Sequence, residues 1–494
     1  MRRRRSLLLA AAASAAAVVL AAPATAVAAP APGAPGIGDP YYPTYGNGGY
    51  DVSHYTIVTS YDPATDRLRG TTAIAARATQ DLSRFDLDFA LTTTAVLVDG
   101  EPATTSTSGT ELVVTPRHPV RRGGRLDVLV TYTGIPSQVA VNGLKPWVRT
   151  TDGAVAVGEP EIAAWWFPSN DHPRDKATYD IVTTVPAGVE VVSNGLLTAH
   201  ATHSGRSVWA WRETKPMATY LAFVAIGQYD ITHGVTSGGI PWLNAFSTGL
   251  DATRGPAART SVGHTPQILD WETRLFGPYP FETVGGVVPS AGFGFALENQ
   301  TRPVYSPEFW RRGVPYDSVV VHELAHQWFG DSVSVHNWRD IWLNEGFASI
   351  AEWLYTEDHG GPTAQQTFDK MYLAHPADDM FWKVPIGDPG VANLFSDPVY
   401  DRGAMALQAL RNRIGDATFR RTLRDWAQRK RYGNGSIPEF VALSEQESGV
   451  DLGSFFQTWL DTPTKPAATS ENGIPASLPA TVHRVLAERA ALRR

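Results

Sequence analysis

The sequence predicts a multidomain α+β protein in which an antiparallel β domain precedes a mainly helical one. Three observations carry that expectation. At 494 residues the chain is too long for one small domain. From Tyr50 to about Thr248, apolar residues recur with period two between turn clusters such as DPATD, RRGG and PAG. After about residue 255 the apolar period lengthens to that of a helix. With 43% hydrophobic and 10% aromatic residues, both parts have material for a core.

Residues 1–29 start with four arginines, Arg2 to Arg5. An apolar stretch follows from Leu7 to about Ala22, then small-residue cleavage options at Ala24-Thr25-Ala26 or Val27-Ala28-Ala29. This is the layout of a secretory signal peptide, so the expectation is a secreted protein cleaved near Ala26 or Ala29. No other stretch is long and apolar enough to span a bilayer, and no membrane attachment is expected after cleavage. Losing the signal removes four Arg and no acid, which takes the formal charge from -7 to -11. An acidic exported chain is a poor match for nucleic acid. A monomer is expected. The chain contains no Cys, which excludes disulfides, thiolate catalysis and cysteine-ligated metal.

Residues 30–48, PAPGAPGIGDPYYPTYGNG, are rich in Pro and Gly and read as a flexible lead-in. The first domain is expected over 49–248. Phe85, Leu87 and Phe89 alternate with Asp86 and Asp88, and Leu126, Val128 and Val130 alternate in RLDVLVTY, as in a sheet with one solvated face. The second domain is expected over 249–465. Ile268, Trp271, Glu272 and Leu275 run into the stop Gly277-Pro278. Phe419, Leu423 and Trp426 follow a cap at Asp416, and Phe440 and Leu443 follow a cap at Ser436. The stretch FETVGGVVPSAGFGFALENQTRPVY reads as one or two strands with Gly-rich turns. Residues 466–494 read as a polar linker and a short helical tail.

Chemistry concentrates in VVVHELAHQWFG, residues 319–330. Nothing before Gly330 breaks a helix, so His322 and His326 fall four apart on one face. Two imidazoles so placed can ligate one Zn²⁺, and Glu323 beside them can reach a water at the metal. Apolar flanks would bury both histidines, and a shared metal satisfies both where ordinary hydrogen bonding would need two partners. A catalytic zinc needs a third protein ligand and one open position. Glu345, in RDIWLNEGFASIAEWLY, is the candidate, with room before it to end one helix, turn, and start another. Glu352, seven residues on, shares its face and is either a solvated acid or an acceptor for a ligating imidazole, with Asp340 as a rival.

HELAHQWFG with WRDIWLNEGFA, at this separation, resembles the M1 (aminopeptidase N-like) family of gluzincin zinc peptidases. FALENQTRP resembles that family's GAMEN motif, VYDRGAMALQALR the segment bearing its catalytic tyrosine, and GEPEIAAWWFPSNDHP a segment of its first domain that meets the substrate amine. The resemblance spans roughly residues 45–465. It implies a saddle-like β domain followed by a thermolysin-like peptidase domain, without the C-terminal helical domain of longer members. It further implies one Zn²⁺ per chain on His322, His326 and Glu345, with Glu323 as base and Tyr400 on the oxyanion. Glu298, Glu159 and the backbone at Ala296 are implied to hold a peptide substrate. Phe295 and Leu297 depart from GAMEN, and Asn170 and His172 from the usual ending of the first-domain segment. The activity implied is removal of N-terminal residues from peptides. An endopeptidase or epoxide hydrolase of the same family, or an inert peptide-binding metalloprotein, stays open on sequence alone.

Overall fold

The period-two alternation of the first domain yields an eight-stranded sheet and two four-stranded sheets, one of which holds Leu82–Asp88. The computed structural model describes residues 29–475 except Asn142. Residues 1–28 of the expected signal peptide and the expected helical tail lie outside the described residues. The strand order of the eight-stranded sheet is Leu196–His203, Arg206–Met217, Ala177–Pro186, Tyr50–Asp62, Arg67–Ala78, Arg125–Gly134, Thr92–Val98 and Glu101–Pro102. Neighbours are antiparallel, except that Tyr50–Asp62 runs parallel to Ala177–Pro186. Leu126, Val128, Val130 and Tyr132 all bury on one face, as their alternation predicts. The solvated face expected of FDLDF is not found. Asp86 and Asp88 are buried as well as Phe85 and Leu87. Asp88 accepts from the Asp171 amide at 2.8 Å and the Asn47 side chain at 3.1 Å, because two polar loops lie over that face.

One of those loops is the lead-in, and it is ordered rather than flexible. Asp39 is 2% exposed. It accepts from the Tyr41 amide at 2.8 Å, the Trp338 amide at 2.9 Å and the His172 ring at 3.1 Å. Tyr41 donates to Asp388 and accepts from the Gly390 amide. Composition marked this segment as loop, but its few polar anchors tie it to both domains. Burial alone would raise the Asp39 carboxyl, but the hydrogen bonds from His172 and the backbone amides outweigh it and hold the group down at about 2. The departures at Asn170 and His172 find partners here too: His172 holds Asp39, and Asn170 meets the Asn47 backbone.

Tyr229–Val235 and Pro241–Ser247, whose alternation placed them in the first domain, pair into a separate, five-stranded sheet. They neighbour Val284–Val288, Val304–Tyr305 and, at the edge, Ala296–Leu297. Alternation marks a strand but not the sheet it joins, so a boundary at 248 could not reflect this change. The stretch from Phe281 to Tyr305 thus holds three strands rather than one or two. Helices follow where the period predicts them: Thr265–Phe276, Asp416–Arg429 and Ile437–Ser448, the last opened by a capping box between Ser436 and Glu439. Packing continues past 465. Trp459 donates to the Asn472 carbonyl at 3.0 Å, and Ile474 is buried. Among the described residues no helix is long and apolar enough to cross a membrane.

The helices Trp342–Asp358 and Asp397–Ile414 cross at Gly346 and Gly403. A Cβ on Gly403 would stand 2.8 Å from the Gly346 Cα, and one on Gly346 would stand 3.0 Å from the Gly403 Cα. Only hydrogen fits between the two backbones. Gly403→Val should therefore cost about 1–3 kcal/mol by overpacking, read as a fall of several degrees in Tm. It should also impair activity, because Glu345 and Tyr400 ride on these helices. A variant melting like the parent with full activity would show that the crossing yields freely.

Candidate active site

The apolar run that holds the histidines folds as the helix Asp317–Ala325, with His326 at its cap. It ends sooner than the stop at Gly330 suggests, and tight turns fill the gap, with Phe329 bonding back to Ala325 and Asp331 to His326. Val320, Val321, Leu324 and Ala325 are fully buried, which fixes the opposite face toward the site. Glu345 sits on the first turn of Trp342–Asp358. The His322 and His326 Nε2 atoms lie 3.2 and 3.4 Å from the same Glu345 oxygen.

These residues fit zinc. His326 Nδ1 donates to the Phe329 carbonyl at 3.0 Å, so its proton is on Nδ1 and its Nε2 lone pair faces inward. His322 Nδ1 meets the Glu352 carboxylate at 2.8 Å, with the same result. Two lone pairs and a carboxylate then face one point. Donors about 2.0–2.1 Å from one zinc at a tetrahedral angle stand about 3.3 Å apart, which is the spacing found. Glu352, which also accepts from Ser318, is thus the orienting acceptor and not a solvated acid. Asp340 does not take that role.

Acids dominate the field. Burial lowers the basicity of His326, but Glu345 and Glu298 beside it overcome this and raise it to about 9. The same carboxylates that favour a proton there favour a metal ion. Burial pushes Glu323 up to about 8, helped by Glu298 and Glu345 and opposed by the two imidazoles. Oxygens of Glu298 and Glu323 and a nitrogen of His326 all lie within 4.8 Å of one another. Burial also raises Glu159, and Glu298 is the foremost charge adding to it. One Glu159 oxygen is buried without a hydrogen-bond partner. Such a group needs a donor.

Tyr400, on the helix Asp397–Ile414, stacks on His322 with ring centroids 5.9 Å apart. Burial and the nearby Glu345 keep its hydroxyl protonated. Ala296 lies on the strand at the edge of its sheet, bonded on one side only to Val304–Tyr305. The structure thus brings His322, His326, Glu345, Glu323, Glu298 and Tyr400 together, with Glu159 near Glu298 and Ala296 two positions before it in the chain.

Sequence reasoning missed what holds Glu298. Tyr220 donates to its carboxylate at 3.0 Å, and Gln327 donates to its backbone carbonyl at 2.9 Å. Asn299, Gln300, Thr301 and Arg302 are all buried, and Arg302 donates to the carbonyls of Ser193 and Gly195 in the first domain. Gln327, a polar residue inside an apolar run, was a readable signal. Tyr220 offered none.

A model of the Peptidase family M1 domain matches residues 310–459, and one of the Peptidase M1 N-terminal domain matches 52–221. The chain is similar in structure to an M1 zinc metallopeptidase from Deinococcus radiodurans. They share 28% identity over 87% of this chain and 98% of that one, with a TM-score of 0.78. A mutant form bound to a Tyr-Ser-Ala substrate gives 27% identity over 87% and 99% of the two chains, with a TM-score of 0.79. Glutamyl aminopeptidase of Bos taurus is 27% identical over 66% of this chain but only 36% of its own length, so the chain spans little more than a third of that relative. Two family domains in their order, on a fold and a zinc-fitting triad of the same kind, leave one assignment: this chain belongs to the M1 family of zinc metallopeptidases.

Proposed function

We propose that this protein is a secreted zinc aminopeptidase that hydrolyses the N-terminal bond of peptides. The observation that carries this reading is the place of Glu298, within 4.8 Å of Glu323 and His326. An α-amine held by Glu298 has its own carbonyl carbon only two covalent bonds away. That carbonyl, and no later one, then falls at the triad.

When bound, zinc lowers the pKa of a water and polarises the scissile carbonyl. Glu323 takes the proton of the attacking water and returns it to the leaving amine. The Tyr400 hydroxyl donates to the developing oxyanion. Glu298 and Glu159 accept from the substrate ammonium, and the free strand edge at Ala296 pairs with an extended peptide. The reading is supported by the aminopeptidase names of relatives and the peptide in the Deinococcus structure. Endopeptidase and epoxide hydrolase activities would give the paired carboxylates no cation. An inert module would have no use for Glu323 and Tyr400 together.

Acetylating the substrate amine removes the charge and strands two acids, a penalty of about 1–3 kcal/mol. Free peptides should be cleaved at least about tenfold better than acetylated ones. Glu298→Ala should erase most of that preference and Glu159→Ala part of it. Equal cleavage of both forms by the parent enzyme would refute the exopeptidase reading and leave the zinc site standing.

Export rests on Arg2 to Arg5 and the apolar stretch after them. Expressed with its full sequence in a bacterial host, the protein should reach the medium with Val27 or Pro30 as its first residue. Retention in the cytoplasm with Met1 intact would contradict export.

A further inference from the structure

A surface cleft of about 470 Å³ opens beside the site, within the size range of small-ligand pockets. Gly294, Phe309, Arg311, Arg312, Val314 and Tyr316 line it. Its two walls are formed by segments that flank site residues in the chain. Gly294 stands four positions before Glu298, on the approach to the free edge at Ala296–Leu297. Tyr316 immediately precedes the histidine helix, where Ser318 binds the same Glu352 that orients His322. Gly294 thus places one wall of the cleft beyond the end of the edge strand that is farther in the chain from Glu298.

The chemistry of its walls is mixed. Phe309 and Tyr316 stack with centroids 6.4 Å apart. Phe295, next to Gly294 in the chain and standing where the family motif has Gly, is 39% exposed, and Val314 is 62% exposed. Glu308, the acid in the wall, is held by Arg254 at 3.2 Å. Arg311 and Arg312 are exposed and take part in no ion pair among the described residues. Two adjacent unpaired cations at this mouth stand out in a chain of formal charge -7.

We infer that this cleft takes the carboxyl-terminal part of a short peptide substrate, with Arg311 and Arg312 receiving its α-carboxylate. The inference rests on the aminopeptidase reading above. A peptide extended along the edge strand rises about 3.4 Å per residue. Anchored by its amine at Glu298, a peptide of about three or four residues ends beside Gly294. The guanidinium fork matches a carboxylate, and the exposed apolar wall covers the side chains before it. Because both arginines are solvated, the gain is modest and appears in KM.

The test compares tripeptides and tetrapeptides ending in a free carboxylate with the same peptides ending in an amide. The parent enzyme should favour the free acids about 3–10-fold in kcat/KM, through KM. Arg311→Ala/Arg312→Ala should bring that ratio to about one, with zinc content and melting unchanged. The ratio is internal to each protein, so a loss of folded enzyme cancels. Calorimetric binding of the same peptide pairs to Glu323→Gln protein repeats the comparison without turnover. A parent ratio near one, or a preference that survives in the double variant, overturns the inference. If the parent hydrolyses no peptide but the carboxylate preference appears in binding, the catalytic reading falls and the cleft assignment stands.

Discussion

Glu323→Gln should keep the zinc and lose about 10²–10⁴-fold in kcat, the usual worth of a positioned general base. The substitution preserves shape and hydrogen-bonding reach but leaves no group able to accept a proton. The metal should stay, because the inward lone pairs belong to His322 and His326 and the third donor is Glu345. The position of Glu323 explains why it can serve in both directions. Burial and two neighbouring carboxylates raise it to about 8, while the imidazoles oppose the rise, and a divalent cation in the triad would oppose it further. The carboxyl can thus both take a proton and give it up near neutral pH. Tyr400→Phe removes one hydroxyl from the same step and should lose about 10²–10³-fold in kcat with little change in KM. Together the two variants separate chemistry from metal binding. Near-normal turnover in Glu323→Gln would remove the base from the mechanism, and near-normal turnover in Tyr400→Phe would reduce that residue to packing.

What could be read from the sequence follows from how local each constraint is. The spacing of His322 and His326 lies within one helix, so their shared face was fixed before any tertiary contact. Glu345 required a second helix, and the length of chain between made that helix possible. Whether Glu352 was solvated or an acceptor depended on the angle between the two helices, which no spacing records. The close contact of Gly346 with Gly403, which seats the helix of Glu345 against Asp397–Ile414, also joins residues far apart in the chain. The lead-in was misread for a related reason. Its Pro and Gly content is that of a loop, and what orders it is a buried aspartate reaching His172 and Trp338 across the chain. The strands at 229–247 were read as strands of the first domain, and the structure pairs them into the sheet that holds Val284–Val288, because period two carries no information about partners. Tyr400 and Glu159 were found only through resemblance. Their places beside His322 and Glu298 now have physical support that the residues alone did not offer.

Glu345→Ala should lose the metal itself. The parent should carry one zinc per chain, be silenced by a chelator and recover on adding zinc back. Without Glu345 two imidazoles remain, and two donors hold zinc far less tightly than three. The loss is also electrostatic. Glu345 is the leading charge that favours a cation at His326, so removing it weakens the very field that draws the metal in. Activity should fall by more than the roughly 10–100-fold typical of disturbing a residue behind the ligands, and added zinc should not restore it. One competing arrangement must be distinguished. Glu298, Glu323 and His326 also converge within 4.8 Å and could retain an ion after the substitution. A metal held there would occupy the base and the amine anchor, so such a protein would carry zinc and still be inactive. Elemental analysis and activity together therefore decide the ligand set. Zinc at one per chain with parental turnover in Glu345→Ala would exclude Glu345 as the third ligand, while zinc without turnover would point to the displaced site.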